Sequence, residues 1–290
     1  MKKQIFKGVA TALITPFKNE EIDYAALDKI IDFQIQGGVD ALVIGGTTGE
    51  AATLSDKERY ALFEYCRVKA AGAVKLILGT GCNDTAAAIR HTREAERHGC
   101  DGVLVVTPYY NKGTVRGVTE HYLRICQSTG LPIILYNVPS RTGVNLTLSQ
   151  LDRLAKEENI VAIKEAGDSA DRLIALREYG DELALYAGND TQIYTTLALG
   201  GLGVVSVISN SHPRLTKRIC QSYFDGKPRE SLALQISALG YINAMFMETN
   251  PAPIKYAMHR LGLCENELRL PLWPVSKESA EEIARLMAEL

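Results

Sequence analysis

Eight times along the chain, a short run of apolar and β-branched residues is followed by a stretch of helical length. The runs cover residues 9–14, 41–44, 75–78, 102–106, 133–136, 161–164, 183–187 and 204–207, and helical spacing is clearest over 24–36, 56–71 and 85–98. A strand that reaches its neighbour through a helix has to run parallel to it, with both faces of the sheet covered. Eight such units are the number that closes an α/β (β/α)8 TIM barrel. A doubly wound open sheet is the alternative that the same alternation permits. Glycines support the register: Gly37-Gly38-Val39-Asp40-Ala41-Leu42 echoes His98-Gly99-Cys100-Asp101-Gly102-Val103, and Gly200-Gly201-Leu202-Gly203-Val204 has a related shape. Each sets glycine at a helix end, where left-handed backbone costs little, just before an apolar run.

After the eighth run the pattern changes. Residues 213–225, 229–247, 252–261 and 276–290 read as helix with no further β run, so the chain divides into a barrel carrying the catalytic site over 1–225 and a C-terminal helical module over 226–290. The 32 Lys and Arg against 34 Asp and Glu leave no basic excess to draw the chain to nucleic acid or to an anionic membrane. No apolar run approaches the ~20 residues that span a bilayer, and MKKQIFKGVATALITPF sets polar residues and a proline where a signal peptide needs an apolar core. A cytoplasmic protein is expected. Cys66, Cys82, Cys100, Cys126, Cys220 and Cys264 lie far apart, with no C-x-x-C pair or zinc-like histidine spacing, and read as reduced, mostly buried thiols.

In a (β/α)8 barrel the working side chains stand at the C-terminal ends of the strands. The second run is followed by Gly45-Gly46-Thr47-Thr48-Gly49-Glu50 and the fourth by Thr107-Pro108-Tyr109-Tyr110-Asn111. Tyr136-Asn137-Val138-Pro139-Ser140-Arg141 follows the fifth and Lys164-Glu165 the sixth. Lys164 constrains the chemistry most. It continues an apolar strand toward the barrel mouth; burial penalises the ammonium form of an amine, and a free amine attacks a carbonyl to form a Schiff base. The competing reading is a strand-end lysine paired with a carboxylate such as Glu165. Residues 45–50 offer N–H groups and two hydroxyls that suit a small carboxylate, or simply form a tight turn; their glycines match neither a P-loop nor a dinucleotide fingerprint. The tyrosines can relay protons through Thr47 or Thr48, or serve only as packing. Arg141, after a proline turn, is suited to a bidentate grip on a carboxylate, or is a solvated loop charge.

The segments GGTTGEAATL, TPYYNK, YNVPSRTG and AIKEAGD, in this order and spacing, resemble the dihydrodipicolinate synthase family of pyruvate-dependent Schiff-base aldolases. The likeness runs on through the helical tail to Asn250-Pro251-Ala252-Pro253-Ile254-Lys255. It implies a lyase of lysine and diaminopimelate biosynthesis that condenses pyruvate with aspartate semialdehyde to 4-hydroxy-tetrahydrodipicolinate. By that likeness Lys164 forms the imine, and Thr47 and Thr48 hold the pyruvate carboxylate. Tyr136 is the general acid and base, linked through Thr48 to Tyr110. Arg141 holds the carboxylate of the second substrate and helps order Tyr110, while Gly188 and Val205 match positions lining the pyruvate pocket. No metal or organic cofactor is implied, because the protonated imine is itself the electron sink. Self-association is implied, as a homotetramer built as a dimer of dimers, with Tyr110 entering from a neighbouring subunit.

Within the wider family, N-acetylneuraminate lyase shares the lysine and the tyrosine, but is expected to lack the arginine of Asn137-Val138-Pro139-Ser140-Arg141-Thr142 and tends to carry Ser-Thr at Thr47-Thr48. From another class comes a catalytically silent barrel that senses a 2-oxo acid; Lys164, Tyr136 and Thr48 together speak against it. There are two departures from the family pattern. Gly113 follows Lys112 where many synthases carry proline, which loosens the loop bearing Tyr110. Lysine-inhibited members hold lysine at a subunit interface near Ala51, Ala52, Asp56, Arg59, Asn83, Ala87 and Tyr109, and typically carry histidine and glutamate in place of Asp56 and Ala87. Feedback inhibition by lysine is therefore expected to be weak or absent.

Overall fold

The computed structural model describes residues 2–290. Each expected run forms a strand: β1 Gly8–Ala12, β2 Ala41–Ile44, β3 Lys75–Gly79, β4 Gly102–Val106, β5 Ile133–Asn137, β6 Ile160–Glu165, β7 Ala184–Ala187 and β8 Gly203–Ser206. They pair in chain order and close from β8 back to β1. Ala10 of β1 lies opposite Ala41 on one side and Val205 on the other, both in parallel ladders, which excludes the open sheet. β1 ends two residues before the apolar run does, and the chain passes into a hairpin of Phe17–Lys18 against Glu21–Ile22. Asn19 and Glu20, at φ 53° and 64°, make its turn. Two-residue strands leave no periodic trace, so this element could not be anticipated.

The core has two layers, and the alternation along each strand sorts residues between them. In β2, Ala41 and Val43 join the barrel interior with Ala10, Ile77, Leu104, Ile134 and Val205, while Leu42 and Ile44 pack outward under the helices. The alternation is reset in β6. Ile133 pairs with Ile160, but Ile134 pairs with Ala162, leaving Val161 as an extra residue. Such a bulge exchanges the two faces of a strand. Beyond it Ala162 and Lys164 face the interior, and Ile163 and Glu165 face the outer layer.

Side-chain caps mark several helix starts, including a capping box of Ser55 and Glu58 before Asp56–Ala70, and caps by Asp84 and Thr114 before Thr85–Arg97 and Val115–Cys126. After β8, helix Pro213–Phe224 covers β1, Pro228–Ala244 packs along it, and Ala252–Arg260 meets Lys277–Met287. Tyr241, Ile242, Met258 and Ile283 of these helices belong to the same buried cluster as the outer layer of the barrel. All six cysteines are free and all but Cys82 are buried. Burial pushes the Cys66 and Cys264 thiols up to about 12, which makes them poor nucleophiles. Among the described residues no helix is long and apolar enough to cross a membrane.

Candidate active site

A cleft of about 680 Å³ opens at the C-terminal mouth of the barrel. Tyr136 and Lys164 are register partners on β5 and β6 and share one face of the sheet. Lys164 is 5% exposed, and its Nζ stands 4.1 Å from the centroid of the Tyr136 ring. The next pair along the same two strands, Asn137 and Glu165, points the other way. There the Glu165 carboxylate accepts from Asn137 Nδ2 at 2.8 and 3.0 Å, from the Gly167 N–H at 2.8 Å and from Arg172 Nε at 2.7 Å. Glu165 is thus fully engaged behind the strand, and Lys164 makes no ion pair among the described residues. The reading of Lys164 as a structural partner of Glu165 falls on this geometry.

Asp190 lies buried in the cleft wall just after β7. Its Oδ2 accepts the N–H groups of Val207 and Ile208 at 2.8 and 3.1 Å, and its Oδ1 has no partner. Burial pushes the carboxyl above its ordinary value, opposed by the Ser206 side chain, by the Ile208 and Val207 N–H groups and by the Lys164 charge.

Residues 45–50 form the opposite wall. The loop is wound by N–H bonds from Gly49 and Ala51 to the Gly46 carbonyl and from Glu50 to that of Thr47. It packs so tightly on β3 that a Cβ on Gly79 would lie 2.2 Å from the Gly45 carbonyl oxygen. Thr47 and Thr48 both line the cleft. The Thr48 hydroxyl is buried and accepts from Asn250 Nδ2 at 3.1 Å. Arg141, in the short helix Pro139–Thr142 that follows β5, stands exposed at the lip and donates from Nη2 to the Asn250 carbonyl at 3.0 Å. Asn250 therefore joins two residues singled out from the sequence.

Gly188 lines the cleft, where a Cβ would lie 2.7 Å from both the Ala166 Cβ and the Glu165 carbonyl oxygen. Val205 lies fully buried in the barrel interior in the cluster that includes Tyr136, and Val207, two residues on, reaches the cleft wall. Tyr110 stands apart. It is 89% exposed, adopts φ 71°, and is not among the residues lining its own cleft. Tyr109 instead lines a second cavity of about 450 Å³, which shares Thr47, Tyr136 and Arg141 with the first. Asp168, Asp190, Glu248 and Asn250 were not singled out as site residues. Asp168 and Asp190 lie beyond the strand ends, and Glu248 and Asn250 lie in the helical tail, where no apolar run points to them.

A closed (β/α)8 barrel with a buried amine and a phenol side by side in its C-terminal mouth defines the class, a barrel enzyme whose cleft is built around a lysine. Proteins of known sequence and structure narrow the class. The chain belongs to the dihydrodipicolinate synthetase family, whose model matches residues 5–290. A 4-hydroxy-tetrahydrodipicolinate synthase of Alkaliphilus oremlandii is 43% identical over 280 residues, spanning 96% of this chain and 97% of that protein. A crystal structure of dihydrodipicolinate synthase from Thermotoga maritima superposes with a TM-score of 0.96 at 38% identity, covering 99% of both chains. A monomeric dihydrodipicolinate synthase variant superposes equally well, at 0.96 and 39% identity over 98% of this chain and 97% of that one.

Proposed function

We propose that this chain condenses pyruvate with aspartate semialdehyde to 4-hydroxy-tetrahydrodipicolinate, a step of lysine and diaminopimelate biosynthesis. The observation that carries the reading is Lys164, buried without a carboxylate partner beside Tyr136, in a barrel of this family. Lys164 Nζ attacks the C2 carbonyl of pyruvate, water leaves, and a protonated imine forms. The imine draws electrons from C3, which loses a proton to give the enamine. The enamine carbon attacks the aldehyde, and the resulting alkoxide takes up a proton. The amino group of the second substrate then adds to the imine carbon, closing the ring and releasing Lys164.

In this reading each neighbour takes a role. Tyr136 passes protons at the imine, with the Thr48 hydroxyl next in the relay and Tyr110 of a neighbouring copy completing it. Thr47 and Thr48 take the pyruvate carboxylate, while Gly188 and Val205 shape the space behind it. Arg141 takes the carboxylate of the second substrate, whose ammonium is matched by the acidic cleft residues Asp168, Asp190 and Glu248. The exposure of Tyr110 outside its own cleft supports self-association, which we extend to a homotetramer, and six unpaired thiols support a cytoplasmic location.

Arg141 separates this reading from a sugar-acid lyase on the same barrel. The test is a coupled assay with pyruvate and aspartate semialdehyde, run beside N-acetylneuraminate cleavage. Turnover of the first pair alone is expected; cleavage of the sugar acid in its place would transfer the chain to the lyases, and no turnover of either would leave a sensor.

A further inference from the structure

Glu50 closes the loop that carries Thr47 and Thr48, and it does so in left-handed backbone, at φ 55°, which non-glycine residues seldom adopt. Its carboxylate is wholly buried and both oxygens are taken by the C-terminal helical module: Oε1 by the Lys255 ammonium and Oε2 by the backbone N–H of Arg269 at 3.1 Å. Lys255, also without exposure, lies 4.5 Å from the centroid of the Phe17 ring, and the Arg269 guanidinium lies 4.4 Å from the same ring. Five residues before Lys255, Asn250 donates to the Thr48 hydroxyl. The module thus grips this loop at two points, one on the hydroxyl and one on the carboxylate that ends the turn. A backbone held in a sparsely populated conformation persists only where its surroundings over-determine it.

We propose that the buried Glu50–Lys255 pair is a positioning device that presets the Thr47–Thr48 cradle for the substrate carboxylate. Lys255 touches no substrate; it acts through Glu50 on the loop. The inference deepens the functional reading above and rests on it for the identity of the carboxylate, but not for the order of the loop.

Removing one partner strands a buried charge, so the informative variant removes both: Glu50→Gln with Lys255→Met. Paired removal of buried charges often recovers stability, which separates folding from positioning. Two readouts apply. In the double variant, amides of residues 45–54 are expected to exchange with deuterium at least tenfold faster than in the wild type, while those of β5 and β6 keep their rates. The pyruvate concentration for half-maximal borohydride trapping is expected to rise at least tenfold, with trapping at saturation unchanged, because Lys164 and Tyr136 are untouched. Wild-type exchange and wild-type half-trapping in a folded double variant would overturn the proposal. Should the double variant not fold, Glu50→Gln alone, which keeps the side-chain shape, decides by the same two readouts. A wild type that traps no pyruvate would sink the functional reading, and loop exchange would still decide this one.

Discussion

Two lysines lie buried in this molecule, each against the face of an aromatic ring, and they are paired in opposite ways. Lys164 stands over Tyr136 at 4.1 Å and Lys255 over Phe17 at 4.5 Å. They are 5% and 0% exposed. The difference is the carboxylate. Lys255 is locked to Glu50, whereas the acid next to Lys164 in sequence is turned behind the strand and held by Asn137, Gly167 and Arg172. A desolvated ammonium with a dedicated counter-charge is a structural tie. A buried lysine whose nitrogen is not committed to a carboxylate is open to a carbonyl. Burial and ring contact do not distinguish the two; the direction in which the neighbouring carboxylate points does.

Removing each lysine in turn should have opposite consequences. Lys164→Ala should lower turnover by at least about 10⁴-fold, the scale lost when a covalent nucleophile is removed, with the melting temperature nearly unchanged. Lys255→Met should do the reverse, destabilising the fold by about 3–5 kcal/mol because it leaves the Glu50 carboxylate buried and unpaired, while the folded fraction still forms the imine. Denaturant titration beside steady-state kinetics reads both. A Lys255→Met protein of wild-type stability would remove the structural half of the contrast.

Arg141→Ala comes next in size. The guanidinium reaches the cleft from its lip and touches neither lysine, so the variant should weaken use of the aldehyde substrate by about ten- to a hundredfold, the worth of one charge-assisted contact, and leave pyruvate trapping intact. Equal loss in both would make its bond to the Asn250 carbonyl the role that matters.

The ionic ties around Lys255 also predict a response to acid. Arg269, which bonds Glu50 through its backbone, donates from Nη2 to Glu58 and holds that carboxyl down at about 2, against an ordinary 4.5. A carboxylate held low in the folded state adds stability above its unfolded value, and that stability is lost as pH falls from about 4.5 toward 2. Melting temperatures across this window should fall more steeply for the wild type than for Glu58→Gln. Parallel curves would show that the Arg269–Glu58 bond does not anchor the loop region.

The smallest expected effect is that of lysine as an effector. Neither Asp56 nor Ala87 lines the cavity bounded by Ala51, Ala52, Arg59 and Tyr109; Asp56 lies 3.5 Å from Arg90, and Ala87 carries no carboxylate. Steady-state rates should therefore stay nearly constant up to millimolar lysine; strong inhibition below that would reverse the expectation.

The barrel was legible because eight apolar runs at helical separation admit few solutions, and Thr47, Thr48, Tyr110, Tyr136, Arg141 and Lys164 were legible because they end or follow a run, whereas Gly188 and Val205 came only from the family resemblance. What decides between the two lysines was not legible. The extra residue Val161, which sends Lys164 inward and Glu165 outward, has no signature within a uniformly apolar stretch. Glu50 and Lys255 lie 205 positions apart, and neither has a local reason to be buried. Asn250, bonded to Thr48 through its side chain and to Arg141 through its carbonyl, sits in a helical tail whose pattern reads as packing. The cross-strand pairs Tyr136–Lys164 and Asn137–Glu165 arise only when β5 and β6 come into register.

Of the two buried lysines, only the one without a carboxylate partner is expected to react with a carbonyl. Incubation with pyruvate and borohydride, followed by peptide mass mapping, tests this directly. A single reduced adduct on the peptide containing Lys164, with the Lys255 peptide unmodified, is the expected result; an adduct on any other lysine, or none at all, would show that Lys164 is not the imine-forming residue.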